Sequence, residues 1–212
     1  MEKQETILVL GAHSDDFVIG AGGTIAKYAA EGKKIIAYSF SYGELSHPWL
    51  KEKVAKKMRV EEAYEAAEVL DCSLTFLDLK EGKYMDKKDE VITKLKTLCD
   101  KEKPTKIFTH TIEDPHRDHK VVHTITMELW KQLKNKPEVY VYSVWNPISL
   151  KTDYPSLYVN IRKTFGKKLA SLKKFESQKY YVTYPTFLLL FRAFQEGLTK
   201  RMLLAERFFR VK

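Results

Sequence analysis

The sequence predicts an α/β fold, a doubly wound and mostly parallel sheet with helices on both faces, in a single domain over residues 1–212. Three observations predict it. Short runs that are apolar throughout alternate with longer stretches of helical periodicity, as expected of strands covered on both faces. A chain of 212 residues is long enough to bury one core without disulfide or metal staples. No repeat, low-complexity tract or linker divides it.

Residues 7–11 (Ile-Leu-Val-Leu-Gly) form the first strand, and a helix over 22–31 follows with Gly32 placed to cap it. Residues 35–40 are the second strand. A helix over 50–70 carries Val54, Met58, Ala63, Ala66, Ala67 and Leu70 on one side. Strand 74–77, helix 89–102, strand 106–109 after Pro104, helix 117–133 and strand 139–144 continue the alternation. Beyond Trp145 the pattern changes to a proline-bearing loop over 146–154, a strand over 157–161, and helices over 163–177 and 199–209. This last third is expected to pack onto the sheet on the substrate side.

The composition, 44% hydrophobic and 31% charged, excludes a disordered chain. No apolar run reaches the roughly 18 residues of a membrane span. The polar opening Met1-Glu2-Lys3-Gln4-Glu5 lacks the apolar stretch of a signal peptide, so a cytoplasmic location is expected. The formal charge of +9 raises the question of a nucleic-acid or anionic-lipid partner. The lysines are scattered in pairs such as Lys33-Lys34, Lys56-Lys57 and Lys87-Lys88 and alternate with acids. That pattern fits a solvated surface, so neither a nucleic-acid partner nor a membrane span is expected, while a homo-oligomer is compatible. Cys72 and Cys99 lack C-x-x-C spacing and are expected to be free thiols.

Two motifs carry chemistry. Ala12-His13-Ser14-Asp15-Asp16 follows the first strand directly. The carboxyl end of such a strand faces the crevice where doubly wound folds bind ligands. An imidazole and a carboxylate in one tight turn suit a shared cation. Read alone, the motif serves as well to cap the next helix. The second motif, Asp114-Pro115-His116-Arg117-Asp118-His119, follows the strand 106–109. Three of the six histidines lie within residues 110–119, and His123 stands one helical turn beyond His119. That density points to a metal or catalytic site rather than a surface loop. In one common strand order the first and fourth strands are neighbours across the topological switch point, so both motifs open into one crevice.

With these motifs the chain resembles the LmbE-like, or PIG-L, zinc-dependent N-acetylglucosaminyl deacetylases. That family carries A-H-P-D-D-E after the first strand and H-x-D-H after a later one, on a Rossmann-like fold. Here the motifs read Ala12-His13-Ser14-Asp15-Asp16-Phe17 and His116-Arg117-Asp118-His119. Gly43-Glu44, Arg59-Val60-Glu61-Glu62, Ser177-Gln178 and Ala205-Glu206-Arg207-Phe208 are similar to further family positions. The resemblance implies removal of an acetyl group from an N-acetylglucosamine-type amino sugar or its conjugate, by a water activated on one Zn2+ per chain. It implies metal ligands His13, Asp16 and His119, with Asp15 as the general base. His116, as imidazolium, would stabilise the oxyanion or protonate the leaving amine, and Asp118 would polarise His116. Arg59 would bind substrate hydroxyls or an anionic aglycone; a surface salt bridge to Glu62 or Glu44 is its competing assignment.

Two positions depart from the family pattern. Ser14 stands where proline is usual, and Phe17 where an acid is usual, which bears on substrate more than on metal. Gly20-Ala21-Gly22-Gly23 lacks the full dinucleotide fingerprint and is expected to serve close strand–helix packing. His47 is expected in a solvent-exposed loop; Trp145, Tyr180 and Tyr181 suit sugar stacking and core packing equally. The alternatives are a metal-dependent amidase acting on a non-sugar acyl amide, and a basic nucleic-acid or lipid-binding protein with a vestigial metal site.

Overall fold

The computed structural model describes residues 4–46, 52–145, 153–178 and 186–212. His47, Tyr180, Tyr181 and most of the expected loop over 146–154 lie outside the described residues. The strands are β1 (Thr6–Gly11), β2 (Lys34–Ser39), β3 (Ser73–Phe76), β4 (Lys106–His110), β5 (Glu138–Tyr142), β6 (Ser156–Asn160) and β7 (Ala205–Arg210). They form one mixed sheet in the order β3-β2-β1-β4-β5-β7-β6. The helices are α1 (Asp16–Ala30), α2 (Glu52–Val69), α3 (Lys88–Glu102), α4 (Arg117–Gln132), α5 (Phe165–Leu172) and α6 (Thr186–Leu198).

The first five strands pair in parallel, with β1 between β2 and β4. From β1 the chain runs outward through β2 and β3, then returns to start β4 on the other side. The β1/β4 boundary is therefore the switch point, as the strand count expects. β7 inserts antiparallel between β5 and β6.

Alternation along the strands builds two cores. Ile7 and Val9 of β1, Phe108 of β4 and Tyr140 and Tyr142 of β5 face α1, α2, α5 and α6. Leu8, Leu10, Ile107 and Val139 face α3 and α4. Cys72 and Cys99 are free, and burial pushes both thiols up to about 12, as inert packing residues. Among the described residues no helix is long and apolar enough to cross a membrane.

Three expectations need correction. α1 begins at Asp16, not at residue 22, although glycine costs about 1 kcal/mol per helix position. Tertiary packing overrides propensity there. A Cβ on Gly20 would stand 2.2 Å from the Tyr142 ring and one on Gly23 2.8 Å from Ile161, so the glycines admit close neighbours. Secondly, the helix expected over 163–177 is regular only over Phe165–Leu172, followed by a 3-10 turn at Glu176–Gln178. Thirdly, the helix expected over 199–209 is overturned. Residues Ala205–Arg210 form β7, whose register pairs Leu157 with Phe208 and Val159 with Glu206. The helix lies earlier, in Thr186–Leu198, which opens with the continuous apolar run Phe187 to Phe191.

Candidate metal and catalytic site

The first motif leaves β1 as a tight turn whose backbone folds around one carboxylate. Oδ2 of Asp16 accepts from the His13 amide at 2.8 Å. The turn rests on Tyr84, whose hydroxyl donates to the Ala12 carbonyl at 2.9 Å. The second motif starts α4 with His116 as N-cap. Asp114, fully buried, fixes this second turn by accepting from the His116, Val144 and Trp145 amides at 3.0, 3.1 and 3.1 Å.

Across the switch point the two turns bring three donors together. His13 Nδ1, Asp16 Oδ2 and His119 Nε2 are each 3.4 Å from the other two. Ligands bonded to one tetrahedral zinc at about 2.0–2.1 Å stand about 3.3–3.4 Å apart, so this equilateral triangle fits one such cation. All three residues are buried. Nδ1 of His119 lies 3.0 Å from Asp114 Oδ1, which orients the ring and leaves Nε2 toward the triangle. His13, His116 and His119 form a candidate metal-binding group, as do Asp16, His110 and His119.

The electrostatics agree. Burial would lower His13, but the carboxylates of Asp118 and Asp16 raise it to about 10. Burial opposes, and Asp16 and Asp114 produce, a rise of His119 to about 9. Asp16 is held well below the carboxylate range, against burial, by the His119 and His110 rings. Without a metal the pocket thus gathers protons where a dication would sit.

The remaining expected residues surround this triangle. Asp15 lies in the cleft, its Oδ2 3.5 Å from a terminal nitrogen of Arg59. Arg59 is not on the surface: it is 2% exposed, pairs with Asp15 rather than Glu62 or Glu44, and its Nε donates to the Tyr42 carbonyl at 2.9 Å. Gly43 makes room for it. Its φ is +73°, and a Cβ there would come within 2.5 Å of the guanidinium. Glu62 instead clasps Ser177, accepting from its amide and hydroxyl at 2.6 Å each. That clasp brings Gln178 to the cleft wall.

His116 and Asp118 are arranged differently from expectation. His116 Nδ1 accepts from the Asp118 backbone amide at 3.2 Å, which leaves the ring proton on Nε2. Burial and the neighbouring His13 and His119 charges lower its pKa. With Nδ1 accepting, Nε2–H is the ring's donor, whereas the resemblance implies an imidazolium. The Asp118 carboxylate lies 3.5 Å from His13 Nε2 and accepts from the Gly82 amide at 3.0 Å. It orients His13 instead of polarising His116.

Sequence reasoning left three neighbours without a role. Asp114 orients His119; its place two residues before the N-cap His116 was the available signal. His110, fully buried and held neutral near 4 by burial, accepts from the Ala12 amide at 3.0 Å and lies 3.1 Å from Asp16 Oδ2. Phe17 points into the core, so no acid follows Asp16, whose Oδ2 accepts from the His13 amide at 2.8 Å. Glu81 comes from the connection after β3, 3.6 Å from His13 Nε2, with no local pattern to announce it.

A crevice at the switch point of an α/β sheet, with such a donor set, defines a class, and comparison places the chain within it. It belongs to the PIG-L (GlcNAc-PI de-N-acetylase) family, whose model matches residues 8–130, more than half of the 212. It is similar to 4-oxalmesaconate hydratase of Pseudomonas putida, 28% identical over 91% of this chain and 81% of the relative. Among solved structures it shares its fold with the 4-carboxy-2-hydroxymuconate hydratase GalB of the same species. That match has a TM-score of 0.83 and 24% identity, and covers 99% of this chain and 97% of the other. It shares the fold too with the N,N'-diacetylchitobiose deacetylase of Pyrococcus horikoshii, at a TM-score of 0.82 and 21% identity, covering 99% and 85%.

Proposed function

We propose that this protein is a zinc-dependent N-deacetylase that cleaves the acetamide of an N-acetylglucosamine-type amino sugar or its conjugate. The observation that carries the reading is the 3.4 Å triangle of His13, Asp16 and His119, with Asp15 and His116 standing at the same cleft of about 200 Å³. His13, Asp16 and His119 would hold a divalent cation, which would supply an acidified water and a polarised amide carbonyl.

The chain's own residues do the rest. Asp15 Oδ2, steadied by Arg59, accepts the proton of the attacking water. Nε2–H of His116, fixed as the protonated nitrogen by the Asp118 amide, donates to the oxygen that gains charge. The carboxyl of Asp15 then returns its proton to the nitrogen of the departing amine. Asp114 and Asp118 hold the two imidazole ligands at their distal nitrogens.

The 28% identity to a hydratase favours a second reading, in which the same base adds water to an unsaturated carboxylate. The match to a de-N-acetylase family model favours the first reading, and Arg59 faces Asp15 in the cleft under either. Parallel assays decide between them: amine release from N-acetylglucosamine and N,N'-diacetylchitobiose, and loss of 4-oxalmesaconate, each with zinc and after chelation. Zinc-dependent amine release supports the deacetylase. Turnover of 4-oxalmesaconate alone overturns it.

A further inference from the structure

α6 is apolar on both sides. Leu189 and Ala193 turn inward and are buried, as a packed helix requires. On the outer face Phe187, Phe191, Phe194 and Leu198 remain 67%, 61%, 40% and 59% exposed, with Leu190 beside them at 47%. At 100° per residue these five positions fall in an arc about 100° wide, centred about 130° around the helix from the buried pair. Phe187, Phe191, Phe194 and Leu198 are spaced four, three and four residues apart. That is the spacing of a seam along which two helices interdigitate.

The size fits a partner helix. At roughly 200 Å² for a phenylalanine and somewhat less for a leucine, these side chains with Leu188 and Leu203 leave on the order of 600 Å² of apolar surface in water. The largest patch on an ordinary monomer is about 300–600 Å². Burying the same patch on two copies removes about 1,200 Å², the lower end of a standard stable interface.

The flanks favour protein over lipid. A helix lying on a bilayer ringed by lysine and arginine would leave those charges free for headgroups. Here Arg192 donates to the Ser143 carbonyl at 3.0 Å, Glu196 pairs with Arg207 at 3.1 Å, and Lys200 lies over the Tyr158 ring. The border of the stripe thus carries both signs, already engaged within the chain. A two-fold axis crossing the helix near Phe191 and Phe194 would set identical apolar stripes face to face with no like-charge clash.

We infer that the outer face of α6 is the dimer interface of this protein, occupied by α6 of a second copy. The test is the mass of the full chain in solution by sedimentation velocity and light scattering at micromolar concentrations. The expected wild-type mass is twice the 24.7 kDa of one chain, and Phe191→Glu returns it to 24.7 kDa with an unchanged circular dichroism spectrum. Because a buried charge could act through folding, Leu198→Gln is the second variant, expected to raise the dimer dissociation constant at least about tenfold. A wild type that stays monomeric overturns the inference, as does a Phe191→Glu protein of unchanged dimer mass. Monomeric wild type that sediments with phosphatidylserine vesicles overturns it in favour of a lipid surface.

Discussion

Replacing Asp114 by asparagine separates the metal ligands from the carboxylate that aims one of them. Asp114 is fully buried and accepts from the His116, Val144 and Trp145 amides, with His119 Nδ1 3.0 Å away. Its two oxygens divide the work: Oδ1 serves His116 and His119, Oδ2 serves Val144 and Trp145. Asparagine keeps the shape but offers one oxygen. Whichever way the amide turns, its NH2 opposes two donors. Two buried donors left without an acceptor cost about 1–3 kcal/mol each, so the expected loss of stability is about 2–6 kcal/mol. His119 also loses the acceptor that keeps its proton on Nδ1, and the expected fall in metal affinity is about 10–100-fold. Competition with a chromogenic zinc chelator measures the affinity, and urea unfolding of metal-free protein measures the stability. Wild-type zinc affinity in Asp114→Asn would refute the role of Asp114 in presenting His119.

Four further outcomes are expected. Metal-free His13 and His119 are held at about 10 and about 9, so near neutral pH binding must displace protons and affinity rises with pH. Titration calorimetry in buffers of different ionisation heat reads that release, and a pH-independent affinity contradicts it. Because both values are raised, the stability these residues lend the metal-free protein is full below the unfolded histidine value of about 6.5. It is lost as pH rises through about 9 to 10, a trend that urea melts across pH record. Asp15→Asn is expected to cut amine release by about 10²–10⁴ while zinc content stays stoichiometric, and loss of zinc would assign Asp15 to the metal instead. Gly43→Ala meets both a φ of +73° and the Arg59 guanidinium, with an expected cost of about 1–3 kcal/mol by urea unfolding and a lower kcat.

The sheet was legible where pattern and burial coincide. Ile7 to Leu10 and Ile107 to Phe108 are apolar because both faces of those strands are covered, so their positions and their adjacency followed from the sequence. The C-terminal third was not. β7 alternates imperfectly because Glu206 is buried, bonding the Gly23 and Thr24 amides of α1, and a buried acid reads as a polar face. α6 opens with five apolar residues in a row, Phe187 to Phe191, and its polar Arg192, Gln195 and Glu196 come only in its second half, which masks its period. At the site, His13, Asp16 and His119 stand in two short motifs joined by the switch point, and strand counting brought them together. Arg59 and Glu81 reach the cleft from other connections, so their surroundings depend on packing that local spacing does not encode. The partner of Asp118 was misread for a related reason. Its backbone amide caps His116, while its carboxylate turns across the crevice to His13.

The most direct test of the metal centre is zinc-edge anomalous diffraction from a crystal of the zinc-loaded protein. The expected result is one peak per chain, bonded to His13 Nδ1, Asp16 Oδ2 and His119 Nε2, the atoms now 3.4 Å apart. A peak on the other side of the His13 ring, among Nε2, Glu81 and Asp118, would contradict it. So would a crystal grown with zinc in excess that shows no peak in the crevice.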